Sequence, residues 1–334
     1  MNIDLSTRYL GLSLRNPLVV SACPLTGCLD TLRKLEQAGA AAAILPSLFE
    51  ETIEHEEAAL ARLHDFHTNA FAESLSYFPE MQKYNTGPDH YLLHLREAKK
   101  AVQIPILASL NGVTPGGWTR YAKHIEDAGA DALELNIYFV PTDSQMPPEA
   151  IEQRYVDLVA SVRKTISIPL GVKIGPFFSN LAYTAKRLVE AGADGLVLFN
   201  RYLEPDMDIE SLTFAPKLEL SRRHELRLPL RWIAILHKQI SASLAATSGI
   251  HLGSDVIKAL LAGADVVMLA SVLIKNGPQY VTKLLVEMEQ WMRDRDYESV
   301  QQFKGSMNRM NCPDASALER ANYTKAIVSF TGEG

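Results

Sequence analysis

The chain of 334 residues reads as an α/β protein, a (β/α)8 barrel, on three observations. An Ala-Gly-Ala step recurs four times, an Ile-Pro cadence recurs twice, and eight short apolar runs are spaced by helical patterns. The step appears as Ala38-Gly39-Ala40, Ala128-Gly129-Ala130-Asp131, Ala191-Gly192-Ala193-Asp194 and Ala262-Gly263-Ala264-Asp265. Each follows an amphipathic stretch and precedes an apolar run: Ala43-Ile44-Leu45, Leu133-Glu134-Leu135, Leu196-Val197-Leu198 and Val266-Val267-Met268-Leu269. Glycine just past a helix accepts the left-handed backbone that stops it. The run behind it suits a strand buried on both faces.

The other strands follow from the second cadence and from two further runs. Gln103-Ile104-Pro105-Ile106-Leu107 and Ser167-Ile168-Pro169-Leu170-Gly171 lead helical stretches into strands. Proline at a strand's first position forfeits no ladder bond. Pro17-Leu18-Val19-Val20-Ser21 and Ala245-Ala246-Thr247-Ser248-Gly249 complete a set starting near residues 17, 41, 105, 132, 169, 195, 244 and 266. Eight such units with right-handed crossovers close into a TIM barrel, with a doubly wound open sheet as the alternative. No linker rich in Gly, Ser or Pro divides the chain, so residues 1–334 are expected to form one domain. Long loops are expected after strand 2 (residues 47–90) and strand 6 (201–230), on the face where barrel active sites lie. They suit a lid or a subunit contact, or are surface elaborations. From about residue 290 a terminal helix and tail are expected to pack outside the barrel.

Composition narrows the functional classes. Hydrophobic residues make up 47% and charged ones 22%, and 33 Lys+Arg against 39 Asp+Glu leave a net charge of −6. A disordered chain carries fewer apolar residues and more net charge. The acidic balance gives no basic footprint for nucleic acid or an anionic membrane surface. No uncharged run approaches the ~18 residues that span a bilayer. Met1-Asn2-Ile3-Asp4-Leu5 lacks the pattern of a signal peptide. Cys23, Cys28 and Cys312 are too few for a disulfide framework and suit a reducing, cytoplasmic setting.

The strand ends carry the chemistry. Strand 3 ends Ser109-Leu110-Asn111, strand 4 Glu134-Leu135-Asn136, strand 5 Val172-Lys173 and strand 6 Phe199-Asn200. Four consecutive strands thus finish with an amide or an ammonium. Alternation places Ser109 with Asn111, and Glu134 with Asn136, on one face. Buried polar groups cost on the order of 1–3 kcal/mol unless paired, so a ring of them implies a polar ligand. Amides suit a planar heterocycle with donors and acceptors, and one lysine stabilises negative charge developing on it, as on a flavin ring. Ser248-Gly249 and Ala270-Ser271, after strands 7 and 8, are small enough for backbone N–H groups to approach a phosphate. The combination points to FMN as cofactor, with a small-molecule substrate and no metal.

The chain resembles the dihydroorotate dehydrogenase family of FMN barrels over nearly its whole length. The matching stretches are Asn16-Pro17-Leu18-Val19-Val20-Ser21-Ala22, Glu134-Leu135-Asn136, Val172-Lys173, Phe199-Asn200, and Ser248-Gly249 through Ala270-Ser271. The resemblance implies that Ser21, Ala22, Ser47, Ser109, Asn136 and Lys173 line the flavin, alongside Asn111 of the amide ring. It implies that Ser248, Gly249, Ala270 and Ser271 hold the phosphate and that Asn136 and Asn200 face the substrate. It implies hydride transfer at a CH–CH bond, a homodimer, and a small or protein electron acceptor. The start almost directly at strand 1 resembles the cytosolic branch.

Departures from the family pattern are as informative. After Glu-Leu-Asn the cytosolic enzymes have Ser-Cys-Pro-Asn, whose cysteine is the base; here the chain reads Tyr138-Phe139-Val140-Pro141. Phe139 accepts no proton, which leaves Tyr138 as the candidate proton carrier beside Lys173. The lysine after strand 2 is replaced by Pro46-Ser47. The substrate-reading Asn-Ser-Met-Gly-Leu-Pro-Asn loop is Ser74-Leu75-Ser76-Tyr77-Phe78-Pro79-Glu80. These changes imply a flavin enzyme whose substrate is not dihydroorotate. Dihydroorotate oxidation with another base, a flavin-binding or partner-binding protein without catalysis, and a Schiff-base aldolase built on Lys173 are the alternatives. Cys23 with Cys28, His64-Asp65-Phe66-His67, Tyr77 and Tyr183 are lesser candidates. No nucleotide, zinc-protease or serine-hydrolase motif occurs.

Overall fold

The computed structural model describes residues 3–55, 87–114, 116–215, 218–312 and 318. An antiparallel hairpin of β1 (Thr7–Tyr9) and β2 (Leu12–Leu14) comes first. The barrel strands are β3 (Leu18–Val20), β4 (Ala42–Phe49), β5 (Ile106–Asn111), β6 (Ala132–Asn136), β7 (Leu170–Ile174) and β8 (Gly195–Leu198). A second hairpin, β9 (Asp206–Asp208) with β10 (Thr213–Ala215), precedes the last two, β11 (Ser243–Thr247) and β12 (Val266–Leu269). All eight pair in parallel into a closed barrel, β12 returning to β3. Every expected strand start lies within one residue of an observed one, and the open-sheet alternative is excluded.

The two cadences have a common structural cause. In each Ala-Gly-Ala step the glycine has positive φ: Gly39 +107°, Gly129 +95°, Gly192 +112° and Gly263 +117°. Each step follows a helix, α1 (Leu29–Gln37), α3 (Tyr121–Asp127), α5 (Leu181–Glu190) and α7 (Gly253–Ala262), and turns the chain back into the sheet. Between these, α2 (Pro88–Ala101), α4 (Pro148–Thr165) and α6 (Arg227–Leu236) complete the outer layer. The aspartate after the step then locks the neighbouring strand. Asp131 donates its N–H to Ile106 O and accepts Ile106 N–H on Oδ2 at 2.7 Å. Asp194 does the same with Leu170 and Asp265 with Leu244. Glutamates at helix ends serve the Ile-Pro cadence: Glu36 accepts from Gln103 and Ile104 N–H, and Glu126 from Ser167 and Ile168 N–H.

The chain does not run directly into the barrel, as its opening residues suggested. The β1–β2 hairpin closes the N-terminal end, inserting Tyr9 and Leu10, which are 1% and 2% exposed. Leu10 N–H donates to Ser243 Oγ and Thr7 Oγ1 to Asp265 O. Gly171 and Gly195 leave room for it, since a Cβ on Gly195 would lie 2.5 Å from Leu10 Cδ2. The interior cluster, with Val19, Ile44, Leu107, Val197 and Met268, is therefore a packed core below the C-terminal mouth. The helix expected from residue 290 begins earlier, at α9 (Tyr280–Arg293), because Val281, Leu284, Met288 and Met292 already form its buried stripe. Two short helices flank it, α8 (Ser271–Asn276) and α10 (Val300–Phe303). Of the loop after strand 2, residues 56–86 lie outside the described residues. The loop after strand 6 carries the β9–β10 hairpin and a turn of 3-10 helix, Arg223–Leu226.

Candidate active site

A cavity of about 590 Å3 opens at the C-terminal ends of the strands. Ala22 and Cys23 from the end of β3 line it, with Lys173 from β7 and Asn200 after β8. Ser248 and Gly249 after β11 and Ala270 and Ser271 after β12 also contribute. These eight residues, all singled out from the sequence, therefore meet in one space. The loop after β8 supplies the outer rim, including Arg201, Glu204, Glu219 and Ser221.

Beneath the cavity, the barrel registers side chains across neighbouring strands. Asn136 lies opposite Lys173 in the sheet, and Glu134 opposite Gly171 on one side and Ser109 on the other. Asn200 Nδ2 donates to Asn136 Oδ1 at 2.6 Å, so the two amides form one unit although only Asn200 reaches the cavity lining. Lys173 is 9% exposed, with Nζ 3.8 Å from Glu134 Oε1, too far for a hydrogen bond. Ser47 and Ser109 share a hydroxyl–hydroxyl bond of 2.8 Å. They meet at a register shift in β4 around Pro46, where the regular ladder lapses. Tyr91, from α2, repairs that lapse by accepting Ser109 N–H at 2.8 Å. Ser21 is buried and donates its N–H to Leu269 O. Asn111 ends β5 opposite Asn136 and, like Ser21, Ser47 and Ser109, does not border the cavity.

The small-residue loops form a tight turn. Ser248 and Gly249 both have φ +74°, and a Cβ on Gly249 would stand 2.5 Å from Leu226 N. Only glycine fits there. Ser221 links both loops: its Oγ accepts Gly249 N–H at 3.2 Å and its N–H donates to Ser271 Oγ at 3.0 Å. His251 Nε2 lies 2.7 Å from Ser221 O, bracing the same residue. Nothing in the sequence separates Ser221 from the other loop serines, because its position depends on how the loop after β8 folds back.

Tyr138 and Phe139 occupy an aromatic wall beside the mouth. The Tyr138 hydroxyl accepts Leu203 N–H at 3.0 Å, and its ring packs 4.4 Å from that of Tyr202. Phe139 lies under the Arg154 guanidinium, 4.5 Å away, and its carbonyl accepts the Tyr202 hydroxyl. Burial raises Tyr202 above the ordinary phenol range. Neither Tyr138 nor Phe139 borders the cavity. Cys23 is a free thiol, raised by burial although Leu25 and Thr26 N–H groups and Lys173 oppose the shift. Cys28 is free, exposed and caps α1, while Tyr183 is an exposed residue of α5. His64, Asp65, His67, Tyr77 and the segment Ser74–Glu80 lie outside the described residues.

Comparison with known proteins decides the family. A family model described as dihydroorotate dehydrogenase matches residues 71–292, about two thirds of the chain. The chain belongs to the dihydroorotate dehydrogenase family. It is 25% identical over 319 residues to the catalytic subunit of a dihydroorotate dehydrogenase B (NAD(+)) of Thermoplasma acidophilum, covering 90% of this chain and 98% of that one. A putative dihydroorotate dehydrogenase A (fumarate) of Aeropyrum pernix is 27% identical over 227 residues, covering 64% and 71%. The Geobacter sp. strain M21 catalytic subunit of the NAD(+) type is 28% identical over 235 residues, covering 67% and 74%. The chain is thus a dihydroorotate dehydrogenase-like oxidoreductase. Among the described residues no helix is long and apolar enough to cross a membrane.

Proposed function

We propose that this family member is an FMN-dependent oxidoreductase acting on a CH–CH bond of a small polar substrate other than dihydroorotate. One observation carries the proposal: a buried ammonium, a paired amide and two small-residue turns border a single cavity. Those groups fit FMN. Its size lies within the range of cofactor sites, roughly 300–1,000 Å3. Lys173 offers a fixed positive charge to a ring that gains electrons, and the Ser248-Gly249 and Ala270-Ser271 turns leave room for a phosphate beside Ser221, whose hydroxyl holds the Gly249 N–H. Ser221, between those turns, adds a hydroxyl that the sequence did not single out.

FMN, when bound, supplies the ring that exchanges a hydride with the substrate. The chain's own residues do the rest. Lys173 holds its charge at the inner wall, with the Glu134 carboxylate 3.8 Å away. Asn200, fixed by Asn136, turns its remaining amide capacity toward the cavity and orients the reacting ring. Tyr138, tied to Leu203, is the nearest replacement for the missing cysteine that the loop after β6 offers. Because the hydroxyl accepts from Leu203 N–H, its own proton stays free to be passed on. Arg201, Glu219 and Ser221 border the outer side of the cavity, with Arg201 bound to Glu225 and to the Glu219 carbonyl, and limit the entry of water.

The visible spectrum of the purified protein tests this reading. A yellow protein that releases about one FMN per chain on denaturation supports it, and a colourless one overturns it. Lys173→Met is expected to retain the flavin and slow its reduction about a hundredfold, the scale for removing one charge-stabilising donor. An undiminished rate in anaerobic stopped-flow measurements removes the proposed role.

A further inference from the structure

Both carboxylate oxygens of Glu134 are buried, and neither has a hydrogen-bond partner among the described residues. The side chain is 1% exposed in the barrel interior, one layer below the cavity. Its register neighbours are Ser109 and Gly171, and the glycine supplies space but no donor. The Ser109 backbone is already engaged with Tyr91, and its hydroxyl with Ser47. The titratable groups facing Glu134 are Tyr9 from the plug hairpin, Tyr91 from α2 and Lys173 from β7. Both phenols are buried and neutral. Lys173 is the cation that faces it, and Lys173 alone of these groups borders the cavity.

An ionised carboxylate left without donors in a packed interior is far costlier than a neutral polar group. Glu134 is nevertheless placed where its charge is felt by the residue proposed to stabilise the reduced flavin. Burial raises the Glu134 carboxyl above its ordinary range, and the Lys173 ammonium opposes that shift. With no other negative charge nearby, carboxylate and ammonium neutralise each other across 3.8 Å. Negative charge placed on the cavity side of Lys173 draws the ammonium outward and leaves the carboxylate alone.

We propose that Glu134 is the positioning residue of Lys173, holding its ammonium at the inner wall and taking up one proton when negative charge develops in the cavity. The proton balance is simple. One hydronium proton from bulk solvent ends on a Glu134 oxygen, relayed past Lys173, so the carboxylate becomes neutral and the ammonium keeps its charge. No bond to carbon changes and no electron moves within the pair. The identity of the charged ligand rests on the flavin reading, whereas the coupling between the two side chains does not.

The test uses the full-length purified chain and two readouts. The first is acetylation of Lys173 by acetic anhydride at fixed pH, followed by peptide mass spectrometry. Removing the counter-charge in Glu134→Gln releases the Lys173 amine from the inner wall, so labelling rises about tenfold. Glu134→Asp keeps the charge and labels at close to the wild-type rate. It also serves as the comparison if Glu134→Gln does not fold, because Glu134→Ser then supplies the uncharged variant. An unchanged labelling rate in the uncharged variant overturns the pairing, with or without flavin.

The second readout is the infrared difference between reduced and oxidised protein. A protonated-carboxyl band that appears on reduction, shifts in D2O and is missing in Glu134→Gln is the expected result. Enhanced labelling without that band, in a flavin-containing protein, overturns the proton uptake. Enhanced labelling in a protein that carries no flavin overturns the flavin reading and leaves the pairing in place.

Discussion

Glu126, in the last turn of α3, accepts hydrogen bonds from Ser167 N, Ser167 Oγ, Ile168 N and Lys123 Nζ. Lys123 and Ser167 together bring its carboxyl from an ordinary value of 4.5 down to about 2. The folded state thus binds this proton more weakly than the unfolded one. Its contribution is complete above the unfolded value and is lost as pH falls through about 2. Glu126→Gln lacks that dependence. Urea midpoints measured from neutral pH down to about 2 should therefore fall more steeply for the wild type, the two curves converging at the acid end. Parallel curves would show that the carboxylate is not linked to folding. At this same scale the sequence was partly legible. Lys173 and Asn200 were readable because an ammonium and an amide stand at the last residues of buried strands. Ser221 and Tyr91 were not, because each acts across a long chain separation, 28 and 18 residues, onto a backbone group of another element.

At the scale of elements, the repeat turns out to be a device for fixing strand register. The glycine of each step ends a helix, and in three of the four the following aspartate takes both hydrogen-bonding groups of one residue in the neighbouring strand. Asp265 adds an ion pair with Lys304 at 2.9 Å. Asp265→Ala leaves Leu244 N–H without its acceptor and should cost about 1–3 kcal/mol in chemical denaturation. Asp265→Asn keeps an acceptor oxygen and should cost less; equal losses would place the energy in the ion pair instead. Strand positions were predictable because the apolar runs and their punctuation lie in contiguous sequence. The plug hairpin was not: Leu10 enters the barrel only because Gly171 and Gly195, over 150 residues away, leave room for it. The β9–β10 hairpin escaped notice for a related reason. Asp206–Asp208 and Thr213–Ala215 are largely exposed and carry no buried alternation.

The whole molecule separates a conserved-looking frame from an altered mouth. The chain folds as a closed barrel and belongs to the dihydroorotate dehydrogenase family, whereas the loop after β6 carries Phe139 and not a cysteine. Phe139 is turned into packing with Arg154 and Tyr202, and Tyr138 is held by Leu203. A barrel tolerates such changes because its strands carry stability and its C-terminal loops carry chemistry. The consequence, on the proposed flavin reading, is a site that lacks the cysteine which the resemblance implies as the base. Anaerobic mixing of the oxidised protein with dihydroorotate, followed at the flavin absorption band, measures that consequence. The account predicts that the flavin stays oxidised while dithionite bleaches it fully. Rapid bleaching by dihydroorotate itself would contradict it.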